Sequence, residues 1–135
     1  MSCGAFFYIA FMQFLPSIII GLLMMLSNHP QSEIPANGTY TYEIAFAEWE
    51  GKSLGDEIIV VLEDGHVSLI ISENSNAIWM GAQPGDVWEE GTVRKHKSGV
   101  WIISNDKSDV DLDEIGGCTD GPIIIDFEQR TIEMC

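Results

Sequence analysis

Residues 57–71 read EIIVVLEDGHVSLII, two runs of aliphatic and β-branched residues on either side of Asp64-Gly65. Apolar run, Asp-Gly, apolar run is the strongest short-range signal for a β-hairpin, because glycine takes the positive φ that a tight turn demands. In the second run Val67, Leu69 and Ile71 stand two apart and therefore share a face. The same period of two stands upstream, from Thr39 to Ala47. There Tyr40, Tyr42, Ile44 and Phe46 take one side and Thr41, Glu43 and Ala45 the other.

Downstream, Ala77 to Gly81 is a weaker strand candidate, followed by turn chemistry at Gln83-Pro84-Gly85-Asp86. Gly91 to Lys97 and Val100 to Ser104 form a second hairpin around Ser98-Gly99, and Pro122 to Phe127 and Thr131 to Cys135 flank a short connection at Glu128 to Arg130. No stretch after Gly38 carries helical periodicity. The pattern predicts an all-β domain of about eight strands, an antiparallel meander that can close into a barrel and leave no exposed edge. An open sheet or sandwich is the alternative. Tyr40, Tyr42, Ile44, Phe46, Val67, Leu69 and Trp101 are expected inside, with register fixed because a one-residue slip would turn the Tyr40 stripe to water.

Ahead of this domain, Gly4 to Leu26 reads GAFFYIAFMQFLPSIIIGLLMML, apolar but for Gln13, Pro16 and Ser17. As a helix it would span about 34 Å, enough for a hydrocarbon core of about 30 Å. Residues 1–27 therefore read as an N-terminal hydrophobic helix, either a signal peptide or a transmembrane anchor, 28–37 as a flexible linker, and 38–135 as the β domain. A basic flank and an A-x-A cleavage site, which would favour the signal peptide, are both missing. Either leader delivers the domain outside the cytoplasm, to a periplasmic, extracellular or membrane-anchored location, and an uncleaved one makes the membrane a partner.

The first charged residue is Glu33, so all 21 acidic and 6 basic side chains and the whole net charge of -15 fall after the leader. Such a surface repels nucleic acid, which is excluded as a partner. Of the three cysteines, Cys3 lies in the leader, and Cys118 and Cys135 are left to pair. Their bridge fits an oxidising compartment and would contribute about 3 kcal/mol by the loop-entropy estimate. Two free thiols are the alternative. Zinc is not expected, since no further Cys or His stands at ligand spacing.

The segment from Gly91 to Cys135, with KHKSGVWIIS, EIGGCTDGP and the terminal Cys, resembles small exported bacterial domains of unassigned function that are loosely lipocalin-like in strand pattern. The resemblance covers about a third of the chain and implies a compact exported β domain with no activity attached. The G-x-W motif of lipocalin first strands has no counterpart, Gly38 being followed by Thr39 and Tyr40.

Asp109, Asp111 and Asp113 have the one-three-five spacing of a calcium loop, and Asp120 falls at position twelve. Glu114 stands where that loop needs glycine, so a solvated acidic loop is the default and calcium the alternative cofactor. Arg94-Lys95-His96-Lys97 reverses the sign locally, which suits an anion site or, more simply, pairing with acidic neighbours. Gly51-Lys52-Ser53 echoes a phosphate loop, but its first glycine would fall on Phe46. No G-x-S-x-G elbow is present, and Glu89 and Glu90 on one strand face opposite ways. Trp49 and Trp88, beside acidic residues near turns, are candidates for partial exposure.

These readings point to a non-catalytic exported binding or interaction module and away from an enzyme. A hollow barrel would hold a small apolar ligand through Tyr40, Tyr42, Phe46 and Trp101. A filled one would be a structural cell-envelope protein acting through surface loops on an envelope partner.

Overall fold

The computed structural model describes residues 33–75 and 81–135. The expectations placed on the leader, the first part of the linker and Ala77 to Met80 lie outside the described residues. Ser32–Cys135 form one compact unit. Its strands are β1 (Gly38–Phe46), β2 (Lys52–Glu63), β3 (His66–Ile71), β4 (Val87–Lys95), β5 (Trp101–Ser104), β6 (Ile123–Asp126) and β7 (Thr131–Met134). Among the described residues no helix is long and apolar enough to cross a membrane.

Each strand pairs antiparallel with the next, and the barrel closes by a parallel pairing of β1 with β7. The parallel closure follows from arithmetic. In a meander of alternating direction the first and last of an odd number of strands run the same way. Among the described residues the barrel has seven strands, a correction to the expected eight: β3 is bonded directly to β4, from His66↔Thr92 to Ile70↔Val87. β2 and β4 also begin earlier than their apolar patterns, at Lys52 and Val87. Both extensions lie beside register shifts, between Glu43 and Ala45 and between Leu69 and Ile70, where main-chain pairing continues although the side-chain alternation breaks.

The Asp64-Gly65 hairpin forms as the sequence predicts, with both residues at positive φ, 51° and 80°. The last hairpin turns on Asp126, whose Oδ1 accepts the backbone N–H groups of Glu128 (2.9 Å) and Gln129 (2.8 Å).

Alternate residues of the seven strands meet in one buried cluster: Tyr42 and Ile44 from β1, Ile58, Val60 and Leu62 from β2, Val67 and Leu69 from β3, Val93, Ile103, Ile125 and Ile132 from the rest. A barrel this narrow is filled by its own side chains. Phe46, Trp88, Trp101 and Met134 pack against the cluster from its margins. Tyr40 does so near the hairpin turns, with its hydroxyl donating to the Ala36 carbonyl (2.6 Å), its ring edge-on to Tyr42, and the Arg130 guanidinium 6.0 Å from its centroid.

Tyr42 is 1% exposed, and its hydroxyl has no hydrogen-bond partner among the described residues. Burial, partly offset by Arg130 and reinforced by Tyr40 and Asp126, raises its pKa above the ordinary 10.0. A group that holds its proton longer when folded contributes stability present below the unfolded value and lost as pH rises through the folded one. Tyr42→Phe is expected to leave the barrel as stable or up to about 1 kcal/mol more stable at neutral pH, and to lessen the loss of stability above pH 10. Denaturant melts of the two proteins at neutral and alkaline pH check this; a marked destabilisation at neutral pH would contradict it.

Candidate functional site

The acidic loop between β5 and β6 is held by its own side chains. Asp106 begins the 3-10 turn Lys107–Asp111, and its Oδ1 accepts the backbone N–H (2.9 Å) and hydroxyl (2.8 Å) of Ser108. Those bonds, the backbone one foremost, hold the Asp106 carboxyl below the usual carboxylate range. The Asp109 carboxylate takes the Ser104 hydroxyl.

The loop is then clasped to the β4–β5 turn. The Lys97 backbone N–H donates to the Val110 carbonyl (2.8 Å), and its ammonium to the Asp111 carbonyl (2.7 Å) and to Asp113 Oδ1 (2.6 Å). Lys97 is what lowers the pKa of Asp113, first by the hydrogen bond and then by its charge. His96, 5% exposed, completes the clasp. Its Nδ1 accepts the Ser98 backbone N–H (3.1 Å), which leaves Nε2 to donate to the Leu112 carbonyl (2.8 Å).

The four aspartates with calcium-loop spacing are therefore not brought together. Asp109 serves Ser104, Asp111 offers its carbonyl to Lys97, Asp113 pairs with that same lysine, and Asp120 is exposed on a later turn. The basic run is likewise tied inward. Lys95 lies 5.2 Å from the centroid of Trp101, its register partner, while His96 and Lys97 hold the loop.

The residues expected to line an interior site are part of the packing. Tyr42 belongs to the core cluster, and Tyr40, Phe46 and Trp101 pack against it. Trp101 stands edge-on to Phe127 at 6.1 Å. Two clefts on the described residues lie elsewhere, along the barrel wall. One of about 370 Å³ is bordered by Thr41, Glu57, Ile59, Ser72, Asn74 and Pro84. The other, about 260 Å³, is bordered by Ala45, Val100, Ile124, Asp126, Thr131 and Glu133. None of Tyr40, Tyr42, Phe46 and Trp101 borders either one. Trp88 packs against the core margin, and Trp49 is 56% exposed.

Cys118 and Cys135 form a disulfide, the pairing that the cysteine count suggested. A neighbour that sequence reasoning missed lies beside it. Glu48, on the 3-10 turn Ala47–Trp49, places Oε1 3.4 Å from Cys135 Sγ and 3.9 Å from Cys118 Sγ. Seventy and eighty-seven residues of chain separate these contacts, and no local pattern announces them. Among the described residues this is the one set of three His, Cys, Asp or Glu ligand atoms that lie within 4.8 Å of one another.

The chain matches no family model, no curated protein and no solved structure. What the fold and this surface define is a small closed β-barrel with a packed interior, a clasped acidic loop and an exposed disulfide corner.

The clasp is expected to depend on its buried member more than on its exposed ion pair. His96→Ala should cost about 2–3 kcal/mol, by removing a buried ring together with its hydrogen bonds to the Ser98 and Leu112 backbone. Asp113→Asn, at a side chain 95% exposed, should leave stability nearly unchanged. Urea melts of both variants rank them, and the reverse order would contradict the assignment.

Proposed function

We propose that the chain is a non-catalytic, exported binding or interaction module that acts through its outer surface on an envelope or extracellular partner. The observation that carries this reading is the single buried cluster built from all seven strands. An apolar ligand inside the barrel would have to displace Tyr42, Ile58, Val60 or Leu69, each at most 1% exposed, from close-packed contacts. The resemblance to small exported bacterial domains belongs to the same reading, as does the apolar leader, which supplies export or a membrane anchor.

Charge favours a partner with a basic face. The net charge is -15, and four of the six basic side chains already have partners within the fold: Lys52 with Glu50, Lys95 over Trp101, Lys97 in the clasp and Arg130 over Tyr40. The acidic excess is left facing outward, where it steers association and makes it salt-sensitive. The shifted titratable groups, Asp106, Asp113 and Tyr42, each owe the shift to a packing or capping contact. This supports a scaffold in which those groups serve structure.

Native mass spectrometry of the purified protein tests the reading. The barrel is expected to fly at its polypeptide mass, and a stoichiometric lipid-sized adduct, lost on Tyr42→Ala or Leu69→Ala substitution, would overturn it in favour of an internal apolar ligand.

A further inference from the structure

We propose that Cys118, Cys135 and Glu48 form a redox-gated site for one soft divalent metal ion such as Zn²⁺ or Cd²⁺, closed as the disulfide and opened by a thiol reductant. The opening step is two-electron thiol–disulfide exchange. A dithiol reductant gives up two electrons and two protons, its own disulfide forms, the Cys118–Cys135 bond breaks, and two thiols result. The ion then displaces both thiol protons to solvent, leaving two thiolates, one carboxylate and a water as a four-coordinate set.

Distances favour this set. With metal–sulfur bonds of about 2.3 Å and metal–oxygen bonds of about 2.0 Å, a tetrahedron has a sulfur–oxygen edge of about 3.5 Å and a sulfur–sulfur edge of about 3.8 Å. Glu48 Oε1 already lies 3.4 Å and 3.9 Å from the two sulfurs. The carboxylate is in place, and the one change required is for the sulfurs to part, which reduction brings about by itself. All three residues are exposed, so reductant and ion can both reach them.

The corner is held by contacts that do not involve the disulfide. β1 and β7 run parallel, and their last pair is Phe46↔Met134. Glu48 follows Phe46 by two residues and Cys135 follows Met134 by one, so the barrel closure delivers both to one place. The turn carrying Cys118 has its own bonds: the Gly116 N–H donates to the Pro122 carbonyl (2.9 Å), and the Thr119 hydroxyl to the Gly116 carbonyl (2.7 Å). That turn packs on the Glu48 segment so tightly that a Cβ at Gly117 would stand 2.9 Å from Ala47 Cβ. The excess acidic charge adds a general attraction for cations.

The test uses the full chain with Cys3→Ser, which removes the one thiol outside the site, reduced with dithiothreitol, freed of reductant under argon and titrated with Cd²⁺ beside the oxidised protein. The expected result is a thiolate-to-cadmium charge-transfer absorption that saturates at one equivalent in the reduced protein and is absent from the oxidised one. Glu48→Gln should weaken binding by about tenfold or more, with the oxidised variant melting as the parent does. Cys118→Ser should abolish the band. Far-ultraviolet circular dichroism follows the fold throughout: if reduction loosens the barrel, one equivalent of Zn²⁺ is expected to restore its β spectrum. No saturable band in the reduced protein, a Glu48→Gln affinity equal to the parent's, or a reduced chain that Zn²⁺ does not refold would each overturn the proposal.

Discussion

The parallel pairing of β1 with β7 is the contact on which the rest of the molecule depends. It joins the two ends of the domain, Glu43↔Thr131 through Phe46↔Met134, and is reinforced by the Glu43 backbone N–H donating to the Arg130 carbonyl at 2.9 Å. Without it both strands would be open edges, each with a row of unpaired backbone groups. With it the inward stripes of seven strands face one another across a space only as wide as their side chains. Because loop-closure entropy opposes such a long-range contact, the stretch from Glu43 to Met134 is where the sequence must supply compensation. It does so with Ile44 and Ile132, a register pair with no exposed surface on either residue.

The disulfide acts on the same seam. Cys135 directly follows β7, and its bond to Cys118 ties that strand to the loop between β5 and β6. By constraining the unfolded chain, such a bridge contributes on the order of 3 kcal/mol. The clasp of His96 and Lys97 fastens the other part of that loop to the β4–β5 turn. One long connection is thus secured twice, once covalently and once by hydrogen bonds. This arrangement accounts for much of the charge pattern. Of the aspartates that mimic a calcium loop, Asp109 receives the Ser104 hydroxyl and Asp111 and Asp113 receive Lys97, while the neighbouring Asp106 caps the 3-10 turn.

How much of this was legible in the residues varies with the range of the interaction. The Asp64-Gly65 turn and the Tyr40, Tyr42, Ile44 stripe could be read directly, because turn stereochemistry and a period of two are local properties. The barrel interior followed from them. Strand limits were less accessible: Lys52 to Asp56 and Val87 to Glu90 carry no apolar alternation, yet they pair through the main chain beside bulges, which side-chain patterns do not record. The ring closes with seven strands among the described residues, and the odd number dictates the parallel seam. The disulfide could be inferred by counting cysteines. Glu48 beside it, and Leu112 under His96, could not, since only the closed barrel brings those positions together.

The seam is accessible to direct measurement. In nuclear magnetic resonance spectra of the oxidised protein, backbone Overhauser contacts are expected between β1 and β7, at the Ile44–Ile132 and Ala45–Glu133 pairs, in the pattern of parallel strands, together with slow amide exchange on both. Absence of those contacts, with β7 amides exchanging as freely as those of an exposed edge, would show an open sheet and contradict the account.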